Sequence, residues 1–127
     1  MNTIKEKSLQ FSHAASIFSA SEIKKSITFY TQQLGFSLEF EWGDPVSYAV
    51  LRSEDVSLHL SQIDPDQSIQ ASGSKLYIFV YDVEALYTEY QHRGIQVLES
   101  LTQHEYGMKD FSIHDPDKNL LIFGTGV

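Results

Sequence analysis

The chain has 127 residues, 42% of them hydrophobic and 20% charged, proportions that fit one compact globular domain. Nine basic residues against seventeen acidic ones give a formal charge of −8, which argues against nucleic acid as the main partner and favours cationic over anionic small molecules. There is no cysteine, which excludes disulfides and thiolate chemistry and suits a cytoplasmic protein; no apolar run reaches the roughly 18 residues of a membrane span, and Met1 to Gln10 lacks the apolar stretch of a signal peptide.

After this polar leader, Ala14 to Ala20 reads as a strand. Glu22 then suits a helix N-terminus, where a carboxylate can accept orphan amide protons. Ile23, Ile27 and Tyr30 follow at helical spacing, and Gly35 suits a left-handed C-terminal cap. Three extended segments come next: Phe36–Trp42, Ser47–Arg52 and Val56–Ser61. Gly43-Asp44-Pro45 and Ser53-Glu54-Asp55 supply the turns between them. Asp64 to Ser74 is polar and reads as a linker.

The same series then repeats. Leu76 to Tyr81 is strand-like; Asp82 opens a helix carrying Val83, Leu86 and Tyr90; Gly94 ends it. Gln96–Leu101, Asp110–His114 and Leu120–Gly124 are the three extended segments, the last two joined by the turn Asp115-Pro116-Asp117-Lys118-Asn119. Each half therefore reads strand–helix–strand–strand–strand. One half is too small to bury both its helix and its sheet. The expected fold is α+β: two tandem βαβββ modules, about 12–63 and 75–126, in a single domain. Together they form a curved, eight-stranded, mostly antiparallel sheet with helices outside and a concave face inside.

Two motifs carry a family resemblance. Ser26-x-x-Phe29-Tyr30-x-x-x-Leu34-Gly35-Phe36 resembles the helix and turn that open modules of the vicinal oxygen chelate superfamily (glyoxalase, bleomycin-resistance protein, dioxygenase). Tyr106-Gly107 through Asn119 resembles its closing hairpin, with Lys118 in place of the usual glycine, so a left-handed non-glycine residue is expected there. Leu76-Tyr77-Ile78-Phe79-Val80 with Leu86-Tyr87-x-Glu89-Tyr90 is most similar to bleomycin-resistance proteins. That likeness implies a homodimer that sequesters a small molecule in a groove without turnover and without a cofactor.

The resemblance also implies where a divalent metal would sit in the enzymes of the superfamily. Counting from the helix-opening acids and the turn asparagine puts the four ligand positions at Ala15, His59, Lys75 and Ile122. Only one is a ligand type, and a site needs about three or four. A slip of one or two residues would add His13 and still leave two. A metal-dependent glyoxalase-like lyase or isomerase, or an extradiol dioxygenase, is the alternative reading.

Strand alternation puts Leu76, Ile78 and Val80 on one face and Lys75, Tyr77, Phe79 and Tyr81 on the other. With one face under the helix, the second aromatic face needs another cover: a ligand, a partner chain or the opposite module. The expected ligand-binding residues are Trp42, Tyr48, His59, Lys75, Tyr77, Phe79 and Tyr106. The expected ligand is a small aromatic molecule, with cationic character favoured by the acidic surface. Glu39, Glu41, Asp44 and Glu105 are candidate rim charges, whereas His92, His104 and His114 are expected on the surface or in loops.

Overall fold

A computed structural model describes residues 10–64 and 73–127. Most of the expected linker, residues 65–72, lies outside the described residues, as do residues 1–9. The first module runs β1 (Ala15–Ala20), α1 (Ile23–Thr28), a π-helical turn (Phe29–Leu34), β2 (Ser37–Trp42), β3 (Tyr48–Ser53) and β4 (Val56–Gln62). The second runs β5 (Lys75–Phe79), α2 (Val83–His92), β6 (Val97–Gln103), β7 (Met108–His114) and β8 (Leu120–Gly126).

The eight strands form two four-stranded sheets, in the orders β1-β4-β3-β2 and β5-β8-β7-β6. In each, the outer pair β1–β4 or β5–β8 is parallel and the other pairings are antiparallel. The helix returns the chain so that the next strand, β2 or β6, runs in the direction of the first at the far edge, and two antiparallel hairpins then bring β4 or β8 alongside the first strand in that same direction. β1 and β5 are the edge strands that line a common hollow of about 380 Å³, so the two sheets lie side by side there.

One apolar core serves both modules. Phe18, Leu51, Leu58 and Leu60 of the first sheet and Phe111, Ile113, Leu121 and Phe123 of the second are buried against the helical residues Ile23, Ile27, Tyr30, Val83 and Tyr90. Tyr90 meets both Phe111 and Phe123 edge-on, at centroid distances of 6.2 and 5.5 Å, the arrangement favoured by ring quadrupoles.

The helix ends differ from expectation in one respect. Asp82 caps α2, accepting the amide of Ala85 at 3.1 Å. Glu22 makes no such bond. The orphan amide of Ile23 is taken instead by Gln62 Oε1 at 2.9 Å, because β4 ends beside the start of α1. The glutamine's amide nitrogen donates to the carbonyls of Ser21 and Ile63, which fixes its orientation. Gly35 and Gly94 have positive φ and close their helices as expected. Lys118 is left-handed with φ 64°, also as expected. The helix preceding Gly35 widens into the π-helical turn where Thr28 and Thr31 donate their hydroxyls to the carbonyls of Lys24 and Ile27, in competition with backbone donors.

The Asp115–Asn119 turn ties the modules together. Asp115 accepts the Tyr30 hydroxyl and the amides of Asp117 and Asn119. Asp117 accepts the backbone and hydroxyl of Ser21. Asn119 donates to the carbonyl of Ser19 and accepts from the amide of Ser74. The motif that carried the family likeness therefore does structural work, joining the second module's hairpin to the first module's helix.

Candidate ligand-binding site

Each sheet turns one face to the core and leaves the other open. Strand register places the open-face residues in rows. In the first module, Ile17, His59, Val50 and Phe40 form one row, and Ser19, Ser61, Tyr48 and Trp42 the next. In the second, Tyr77, Ile122, Ser112 and Glu99 form one row, and Phe79, Gly124, Asp110 and Thr102 the next. Asp110 thus holds in the second sheet the place that Tyr48 holds in the first.

The expected binding residues all lie on these open faces or at their ends, divided into two groups. Trp42, Tyr48 and His59 belong to the first sheet. The Tyr48 hydroxyl and His59 Nδ1 share a hydrogen bond of 2.7 Å, with the rings edge to face. Trp42 is 64% exposed and, with Phe40, Tyr48 and Ser61, lines a hollow of about 430 Å³. His59 therefore has a tyrosine partner within its own sheet.

Lys75, Tyr77, Phe79 and Tyr106 form the second group. Lys75 is exposed at the start of β5. Phe79 is 74% exposed, with its ring 4.9 Å from that of Tyr77. Tyr81 lies beyond the end of the strand and is exposed. Tyr106 is 68% exposed and stacks on His104, with the centroids 4.7 Å apart and the planes 7° from parallel.

The centre of this second group is Asp110, a residue the sequence reading passed over. It is only 8% exposed although it stands on the open face. Its Oδ2 accepts the hydroxyls of Tyr77 at 2.8 Å and Tyr106 at 3.2 Å, and its Oδ1 accepts from His104 Nε2 at 2.7 Å. A carboxylate can only accept, so Nε2 of His104 carries the proton. Burial, the bond to Asp110 and that residue's charge push the Tyr77 phenol well above the usual tyrosine range, which keeps it a donor. These groups line a hollow of about 290 Å³ with Glu99, Ser112 and Ile122.

His104 is thus not a plain loop histidine. Met108 and Asp110 fold the turn back so that the imidazole reaches the carboxylate. His92 and His114 are exposed, as expected. Of the candidate rim acids, Glu39 pairs with Arg52 at 3.3 Å, while Glu41, Asp44 and Glu105 are exposed. The legible signal for Asp110 was its parity with Ser112, opposite the apolar Phe111 and Ile113 of the same strand. Its partners lie 33 residues away at Tyr77 and 6 away at His104, beyond any local pattern.

Gly124 belongs to the same device. A Cβ there would overlap the Tyr77 hydroxyl, so its absence lets the tyrosine lie across β8 to reach Asp110.

The four positions at which a divalent metal would be gripped hold a methyl group (Ala15), an imidazole engaged with Tyr48 (His59), an exposed ammonium (Lys75) and an alkyl chain (Ile122). His13 lies before β1 and bonds to the Ser12 hydroxyl. Among the described residues, no three His, Asp or Glu side chains come together as a metal-binding group. This donor set does not fit a divalent ion.

A family model described as the Glyoxalase/Bleomycin resistance protein/Dioxygenase superfamily matches residues 10–123. The chain belongs to that superfamily. Bleomycin resistance proteins of Geobacillus stearothermophilus and Staphylococcus aureus are 31% identical over 119 aligned positions, covering 80% of this chain and 87% of theirs. The bleomycin-binding protein of Streptomyces verticillus, solved with copper(II)-bleomycin, superposes with a TM-score of 0.74 at 23% identity, over 94% of this chain and 99% of that one. A bleomycin-binding protein solved with bleomycin gives 0.77 at 20% identity, over 92% of this chain and all of that one. TioX of Micromonospora gives 0.76 at 15% identity, over 92% of this chain and all of that one. These structural likenesses establish the shared superfamily fold. No helix among the described residues is long and apolar enough to cross a membrane.

Proposed function

We propose that this superfamily member is a small-molecule binding protein that sequesters an aromatic, cationic ligand in the groove formed by its open sheet faces, with no turnover. The observation that carries the reading is the set of large aromatic side chains left uncovered there, Trp42, Phe40, Phe79 and Tyr106. Exposed rings on a pleated face cost hydration free energy unless something flat covers them. The bleomycin resistance proteins that resemble it over most of its length support the same ligand class.

Trp42, Tyr48 and His59 supply one wall and Lys75, Tyr77, Phe79 and Tyr106 the other. The bound molecule stacks on rings and loses water. Protection by such a protein is stoichiometric. We further propose that the single domain of two modules works as a two-fold homodimer, since the edges of β2 and β6 have no strand partner among the described residues. The absence of cysteine fits a cytoplasmic setting.

The test is a titration of Trp42 fluorescence with a bleomycin-type glycopeptide, with light scattering to read the oligomer. Saturable quenching at one ligand per groove is the expected result. A flat titration up to the solubility of the glycopeptide would remove that ligand class.

A further inference from the structure

We propose that Asp110 is the anchor for the ligand's cationic group. The inference rests on the stacking site proposed above and adds its charge recognition. An ionised carboxylate offers about four acceptor positions. Tyr77 and Tyr106 take two at Oδ2, and His104 takes one at Oδ1. That leaves one for a ligand, and Asp110 lines the hollow of about 290 Å³ together with these side chains.

The carboxylate is almost excluded from water, where its field is least screened. The flat His104–Tyr106 stack stands beside it as a platform for a planar ring, and cations favour such faces. The ligand class that fits is a planar aromatic carrying a protonated amine or amidine. The equivalent place in the first sheet holds Tyr48, bonded to His59, and carries no anion. Charge is read by the second sheet and ring area by both.

The experiment compares two probes, each with a flat three-ring body: 9-aminoacridine, a cation at about pH 8, and uncharged 9-anthracenemethanol. With the wild-type protein at that pH, the cation should bind about tenfold or more tightly, the range of a hydrogen bond to a charged group. Asp110→Asn should abolish the advantage. Equal wild-type affinities for the two probes would overturn the anchor while leaving the stacking reading intact. So would an advantage that survives Asp110→Asn. If neither probe binds the wild-type protein, both readings fall. The comparison of the two probes on the wild-type protein decides the matter even if Asp110→Asn does not fold.

Discussion

The hydroxyl of Tyr30 donates to Asp115 Oδ2 at 2.8 Å across 85 residues of sequence, and both side chains are buried. This bond joins the helix of the first module to the closing turn of the second. The remaining acceptor capacity of Asp115 is used by the amides of Asp117 and Asn119 and by the Asn119 side chain, so the carboxylate is fully satisfied without a cation.

Tyr30→Phe removes one donor from that buried carboxylate. Hydrogen bonds to charged groups contribute about 1.5–3 kcal/mol, and the expected loss of unfolding free energy is of that size. Urea unfolding followed by circular dichroism measures it. A loss below about 0.5 kcal/mol would mean the bond does not hold the modules together.

Alkaline pH should destabilise the fold through its tyrosines. Burial pushes Tyr90 up to about 12, partly offset by the Arg93 guanidinium. Burial, then the charge of Asp115 and the bond to it, pushes Tyr30 higher still. A folded-state pKa above the unfolded value means the stabilisation is complete below about pH 10. It is lost as the pH rises, up to about 12 for Tyr90 and beyond that for Tyr30. Each such group contributes a slope of about 1.4 kcal/mol per pH unit, so Tyr30→Phe should visibly flatten the fall above pH 10. Chemical denaturation at a series of alkaline pH values reads both slopes.

Gly124→Ala should disturb the binding face without touching the ligand itself. The added methyl overlaps the Tyr77 hydroxyl, which must leave Asp110. Overpacking of this kind costs about 1–3 kcal/mol. In a Tyr77→Ala background the nearest atom left is the Asp110 Cβ at 3.0 Å, a tight contact rather than an overlap, and the same substitution should cost less. A double-mutant cycle by denaturation, with coupling near zero, would show that the two residues do not oppose each other.

The two helix starts should respond to different residues. Asp82→Ala loses a side-chain cap and should cost about 0.5–2 kcal/mol, whereas Glu22→Ala should be near neutral. Gln62→Ala, outside the helix altogether, should cost as much as Asp82→Ala because it strands the Ile23 amide and two carbonyls. Thermal unfolding of the three variants ranks them; a Glu22→Ala penalty equal to the others would contradict the geometry.

The repeat of strand, helix and three strands and the glycine caps were legible in the chain, while the left-handed Lys118 was implied by the family resemblance. Each depends on residues within a few positions of one another: apolar spacing, turn chemistry and steric freedom at φ. The alternation of Lys75, Tyr77 and Phe79 with Leu76 and Ile78 also fixed which side chains share a face, because a strand has a period of two. What folding alone decided was which distant groups meet. Nothing near Asp110 in sequence announces Tyr77, nothing near Glu22 announces that Gln62 will take its place, and nothing near Asp115 announces Tyr30. Those pairings arise where separate elements pack, and the low dielectric of the packed interior makes each of them matter.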